Sequence, residues 1–196
     1  MRKLILGCLV AGLAALPALA QGGGGQGSMQ TDPMATTVRS NFHQMANNLI
    51  KSAQEFPDDK YTAKLGTQPE TRTFAALIGH VINANYFYCS MAKGEKSPQT
   101  KDYEKEPGAK AEMAAAMQSA IDYCTPLYDS LTDANAMDKV TTQTARGSME
   151  QAKIVPLLRN MVHNNEEYGN IVGYFRANNL VPPSSENQGR GGRRGE

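Results

Sequence analysis

Cysteine, histidine and a charge imbalance are what this chain has least of. It holds 3 Cys and 3 His in 196 residues, and 20 Lys+Arg stand against 19 Asp+Glu, for a formal net charge of +1. Three cysteines are too few for a disulfide-dense scaffold. No C-x-x-C spacing occurs, which excludes a catalytic thiol pair, and without C-x-x-C-H there is no covalent haem attachment. The balanced charge argues against nucleic acid as a partner, because phosphate recognition needs a basic excess. Strand-like alternation is nowhere sustained, and there is no internal repeat. After the N-terminus no apolar run reaches membrane-spanning length, so stable membrane insertion is not expected.

The ends are distinctive. Arg2-Lys3 precedes an almost unbroken apolar run from Leu4 to Leu16, and Ala18-Leu19-Ala20 offers small residues where a signal peptidase reads. This pattern reads as a signal peptide over residues 1–20, cleaved near Ala20. A membrane anchor needs about 20 apolar residues, and this run is shorter and gives way to Gln and Gly. The product is therefore expected in the periplasm or secreted. Residues 21–31 are a Gly-rich leader with the composition of a flexible linker. Residues 184–196 (SSENQGRGGRRGE), following Pro182-Pro183, have the composition of a disordered Gly/Arg tail.

The remaining 32–183 has helical periodicity throughout. Asp32 before Pro33 is an N-cap followed by Pro at the first helical position. A first helix then runs to about Glu55, where Pro57 ends it. A second, apolar almost all round, spans about Glu70 to Ala92, with Gly94 closing it. A lysine- and acid-rich connection, too polar for a core, leads to a third over about Ala109–Leu131, with Pro126 as a kink or early end. The fourth covers about Met149–Asn178. Four amphipathic helices joined by loops specify an all-α four-helix bundle.

Cys89 and Cys124 both lie late in their helices. If the second and third helices run antiparallel, these positions sit far apart. If the long connection crosses the bundle, the helices are parallel and the cysteines come level. A bond across that separation of 35 residues would stabilise by about 3–4 kcal/mol in the chain-entropy model. Two buried free thiols are the alternative, and export favours the bond.

His163 and Glu167 stand at i, i+4, so both side chains stack on one helix face. With His80 from mid-helix, an imidazole–imidazole–carboxylate set can hold a divalent metal and leave an open position. A helical wheel cuts against this. The apolar stripe of the fourth helix reads Ile154, Leu158, Met161, Asn165, Tyr168, Val172 and Phe175, and His163 and Glu167 fall nearly opposite, with Asn160, Asn170 and Tyr174. His80 likewise lies off the Phe74–Ile78–Val81–Ile82 stripe. Spacing alone leaves two readings: the three face one another across a polar groove, or each faces water. His43, beside Phe42 and Met45, reads first as a packed or surface histidine and second as a substitute ligand.

The stretches Arg72-Thr73-Phe74-Ala75-Ala76-Leu77-Ile78-Gly79-His80-Val81 and His163-Asn164-Asn165-Glu166-Glu167-Tyr168-Gly169-Asn170 resemble the DinB/YfiT-like superfamily. The resemblance runs over about residues 34 to 185, and its specificity lies in motif order: a histidine on the second helix, then His-x-x-x-ligand-x-Gly-Asn on the fourth. It implies an up-down-down-up bundle with parallel helices 2 and 3. It also implies a divalent metal, often nickel or zinc, held by His80 and His163 and a residue at 167. Members usually carry histidine there, and Glu167 favours a harder ion such as zinc, manganese or iron.

The function this implies is metal-dependent, a hydrolase or a thiol-dependent transferase acting on an unidentified small molecule. Asn170 and Tyr174, one and two turns beyond the ligands, would orient substrate or water. The alternative is a non-catalytic exported bundle, a binding or structural module with a degenerate metal site. The resemblance also allows a homodimer through an apolar helix face.

Overall fold

The computed structural model describes residues 31–144 and 147–186. The expected signal peptide, nearly all of the Gly-rich leader, and residues 187–196 of the expected tail lie outside the described residues.

Four helices carry the fold: α1 (Pro33–Glu55), α2 (Phe74–Lys93), α3 (Lys110–Asp129) and α4 (Ile154–Ala177). Between α3 and α4 an antiparallel hairpin, β1 (Lys139–Thr144) and β2 (Gly147–Ala152), corrects the all-α expectation. Its strands claim residues 149–152, which helical periodicity assigns to the fourth helix. Val140, Thr141, Thr142 and Thr144 have the branched side chains that favour strand. Val140, Met149 and Ala152 are too few and too scattered to give an apolar alternation. Helix α4 starts late with Pro156 in its first turn, where a missing N–H has no helical acceptor to lose.

The helix ends are set partly by distant residues. Asp32 adopts a left-handed conformation (φ 54°) and does not cap α1 with its side chain. Asp133, beyond α3, does so instead. Its carboxylate accepts the Ala35 N–H at 2.7 Å, while Asp32 Oδ1 accepts the Asp133 N–H at 2.9 Å. Helix α2 begins at Phe74 rather than Glu70, because Thr73 Oγ1 accepts the Ala76 N–H and so forms the N-cap. Gly94 ends it in the left-handed conformation a C-cap requires (φ 70°). Helix α3 continues through Pro126 to Asp129.

One core joins all four helices. Phe56 stacks on Phe74 at a ring separation of 3.7 Å, and Phe42 on Tyr128 at 3.8 Å. Full burial of such a side chain contributes about 1.5–3 kcal/mol. The sulfurs of Cys89 and Cys124, both fully buried, are bonded, with Cα atoms 5.4 Å apart. The folded chain also extends past Pro183: Pro183–Ser185 forms a 3-10 turn, Ser184 N–H donates to Tyr168 Oη, and Glu186 pairs with Lys51. The start of the expected disordered tail is thus packed on the bundle as far as Glu186.

A polar seam sets α2 against α4. Asn85 Oδ1 accepts from the Nδ2 groups of both Asn160 and Asn164 at 3.0 Å, and Asn85 Nδ2 donates to Asn164 Oδ1 at 3.1 Å. These amides are buried, and such groups are stable only when paired. The wheel reading is corrected here. Ile154, Tyr168 and Phe175 of the expected stripe are buried, but Leu158 and Asn165 are exposed, and the buried face also takes in Leu157, Asn160, Asn164, Glu167, Ile171 and Tyr174. Asparagines look like surface residues on a wheel, but these hydrogen-bond to a third inside the protein. Glu167 therefore faces inward.

Candidate metal centre

The seam fixes the register in which α2 presents His80 to α4. His80 Nε2 lies 3.0 Å from His163 Nε2 and 3.5 Å from Glu167 Oε1, and His163 Nε2 lies 3.9 Å from the same oxygen. Glu167 is buried, and both histidines are half-buried. Of the two readings left by spacing, the three residues face one another.

The triangle's dimensions test the fit of an ion. A circle through the three donor atoms has a radius of about 2.0 Å, so a zinc-like ion can reach each of them at its usual 2.0–2.2 Å. Two imidazole nitrogens and a carboxylate oxygen suit zinc, iron or manganese, and His80, His163 and Glu167 can hold such an ion. Burial first, and the neighbouring His80 second, push the His163 imidazole below its ordinary value. That favours the neutral form a metal needs.

The residues expected to orient substrate support the triad from behind. Asn170 Nδ2 donates to Glu167 Oε2 at 3.0 Å, and Tyr174 Oη donates to the Arg72 carbonyl. His43 stands elsewhere, paired with Asp129 at 2.7 Å between α1 and α3. A pocket of about 270 Å³ opens beside His80 and His163, walled by Asn83, Ala84, Phe87 and Tyr88. A second, of about 200 Å³, lies on the Arg72, Asn170 and Tyr174 side.

One residue at the site, Glu104, carries no functional signal in the sequence pattern, and its partner Arg72 is marked only by opening the stretch that carries the resemblance. Glu104 Oε2 lies 2.7 Å from His80 Nδ1, and its other oxygen accepts from Arg72 Nε at 2.7 Å. Burial works to raise the Glu104 carboxyl, but the hydrogen bonds from His80 and Arg72 outweigh it and hold it below its ordinary value. Glu104 sits in the polar α2–α3 connection, where composition gives no sign of function. The available signal is Gly79, next to His80: a glycine inside an apolar helix marks a close approach, here by the Tyr103 carbonyl.

The sequence model of the DinB superfamily matches residues 41–169. The chain belongs to that superfamily. Among solved structures, the DinB-like fold recurs in a DinB-like protein from Bacillus cereus ATCC 10987. That protein has a TM-score of 0.60 and 15% identity, over 76% of this chain and 95% of that one. A conserved protein from Enterococcus faecalis is also similar, with a TM-score of 0.54 and 8% identity over 71% and 94% of the respective chains. No curated protein matches. At these identities the structural likeness is one of fold, and the site rests on this chain's own residues.

Proposed function

We propose that this DinB-superfamily chain is a divalent-metal-binding protein of the cell envelope, with His80, His163 and Glu167 as ligands. The observation that carries the reading is the convergence of three donor atoms from two helices on one point. A bound divalent ion supplies Lewis acidity toward a water or a low-molecular-weight thiol. The protein's own part is to place a small substrate in the pocket beside His163, where Phe87 and Tyr88 offer apolar contact and Asn83 a polar one. Asn170 orients the carboxylate of Glu167, and Tyr174 steadies the Arg72 segment. A hydrolase or a thiol-dependent transferase fits this arrangement.

An up-down-down-up order of helices suits the contacts. Phe74, His80 and Asn85 of α2 meet Phe175, His163 and Asn160 of α4, so rising numbers face falling ones. Arg39 and Phe42 of α1 meet Leu131 and Tyr128 in the same opposed sense. The bonded cysteines, late in both α2 and α3, suit a parallel pair. A disulfide also suits an oxidising compartment. No helix among the described residues is long and apolar enough to cross a membrane.

One observation favours the non-catalytic alternative: His163 Nδ1 is buried and has no hydrogen-bond partner among the described residues, whereas working ligands usually have an outer acceptor. Metal content by mass spectrometry decides between them. The protein would be purified without chelators or a His tag, beside His163→Ala and Glu167→Ala. About one ion per chain, lost in both variants, is the expected result. A wild type that is metal-free and takes up no added zinc, nickel or manganese overturns the reading.

A further inference from the structure

We propose that Glu104, on the α2–α3 connection, is a positioning residue for His80: it holds the ring so that Nδ1 carries the proton and Nε2 turns its lone pair toward His163 and Glu167. The argument starts from hydrogen-bonding capacity. Two groups meet His80 Nδ1: Arg72 Nη2, a donor, at 3.4 Å and Glu104 Oε2, which as an ionised carboxylate only accepts, at 2.7 Å; the much shorter contact sets the roles, and Nδ1 donates. A neutral imidazole has one N–H, and the lone pair is then on Nε2. That nitrogen is the one 3.0 Å from His163 Nε2.

Glu104 is held from both sides. Its second oxygen accepts from Arg72 Nε at 2.7 Å, and the Arg72 carbonyl accepts from Tyr174 Oη. The connection that carries it is clamped to α2 one turn from His80. Asn83 Nδ2 donates to Asp102 Oδ1 at 2.7 Å, Asn83 Oδ1 accepts the Tyr103 N–H at 3.1 Å, and Asp102 Oδ1 accepts the Glu104 N–H at 3.2 Å. Gly79 completes the clamp, because any side chain there would strike the Tyr103 carbonyl. Three positions of α2, at 79, 80 and 83, thus engage one short segment whose acidic residue meets the histidine. A surface ion pair with Arg72 alone would need none of them. His163, in contrast, has no acceptor for its buried Nδ1 among the described residues, so the arm serves one histidine.

The orientation of His80 stands without any metal; its consequence for affinity rests on the proposed metal site. Both are measurable on the full chain. In metal-free, 15N-labelled protein held above the histidine titration range, long-range 1H–15N spectra report which ring nitrogen carries the proton. Wild type is expected to show His80 protonated at Nδ1. Glu104→Ala is expected to lose that preference, and Glu104→Gln, which keeps an oxygen acceptor, to retain it. Zinc affinity, read by competition with a chromophoric chelator, should fall about 10- to 100-fold in Glu104→Ala, with partial rescue in Glu104→Gln. Should Glu104→Ala fail to fold by circular dichroism, Asn83→Ala releases the same segment and is expected to change His80 in the same sense. An unchanged tautomer in the folded variant overturns the proposal, as does undiminished affinity where wild type binds zinc. A wild type that binds no zinc but shows the tautomer dependence keeps the proposal and removes the metal reading.

Discussion

The Nε2 atoms of His80 and His163 stand 3.0 Å apart, one from α2 and one from α4, with the Glu167 carboxylate completing the triangle. Two imidazole nitrogens that close share either a proton or a cation. If a cation is the natural occupant, zinc binds the folded state and not the unfolded one, and it stabilises by mass action. At a free zinc concentration of 100 times Kd the gain is about 2.7 kcal/mol. Thermal melts with and without zinc should therefore show a clear rise in wild type and none in His80→Ala or His163→Ala. Equal shifts in all three proteins would mean that zinc binds elsewhere.

Glu167 is the only oxygen donor among the three residues, so in the proposed site it would set the metal preference. Glu167→His replaces it with a softer nitrogen while keeping three ligands. Binding should persist, and preference should move from manganese and iron toward nickel and copper. Parallel titrations of the two proteins with each ion check this. A variant that binds nothing would mean that the space around Asn170, which holds the carboxylate at 3.0 Å, does not admit a ring.

Much of this site is legible in the amino-acid sequence, and the reasons differ by residue. His80 and His163 stand out because only three histidines exist, and motif order joins them to Glu167. The resemblance implies that they meet, but spacing and the helical wheel do not show it, since it depends on α4 burying Asn160 and Asn164 against Asn85. An apolar wheel cannot reveal a polar core stripe. Glu104 is hidden for a related reason: a charged loop has the same composition whether it is solvated or folded back onto a helix. The four helices show clearly through their apolar positions. The hairpin does not, because its buried residue among those described is Thr142 and its few apolar residues set no hydrophobic period.

The bond between Cys89 and Cys124 closes a loop of 35 residues that contains the whole α2–α3 connection. Loop-closure entropy assigns it about 3–4 kcal/mol. Replacing both cysteines with serine should lower the denaturation midpoint accordingly, and wild type in strong reductant should behave like the variant. Overlapping unfolding curves for oxidised and reduced wild type would show that the bond constrains nothing the fold does not already hold.

Asp102 gives the connection an acid limit. The Lys105 ammonium, followed by the Asn83 amide, lowers its carboxyl from 3.8 to about 2. An acid whose folded value is depressed contributes its full stabilisation above its ordinary value and loses it as pH falls through the folded one. The contribution is therefore present above pH 3.8 and fades on approach to about 2. Carbonyl-carbon chemical shifts of Asp102 should report the low midpoint. Asn83→Ala should raise it toward the ordinary value by removing one donor. A midpoint that Asn83→Ala leaves unmoved would show that Lys105 alone holds the carboxylate.

Gly79 tests the same clamp from the helix side. A Cβ at this position would overlap the Tyr103 carbonyl oxygen, and that atom is backbone, so no side-chain rotation relieves the clash. Alanine would normally favour a helix interior over glycine by about 1 kcal/mol. Here overpacking opposes that gain at a typical cost of about 1–3 kcal/mol, and the connection must lift from α2. Gly79→Ala should therefore be destabilising in denaturant unfolding, against the helix-propensity trend. Amide exchange at Tyr103, whose N–H donates to Asn83 Oδ1 on α2, should speed up, because lifting the segment breaks that bond. A stabilised Gly79→Ala protein with unchanged exchange at Tyr103 would mean that the connection does not rest on α2 in solution, and the Glu104 carboxylate would then have no fixed place beside His80.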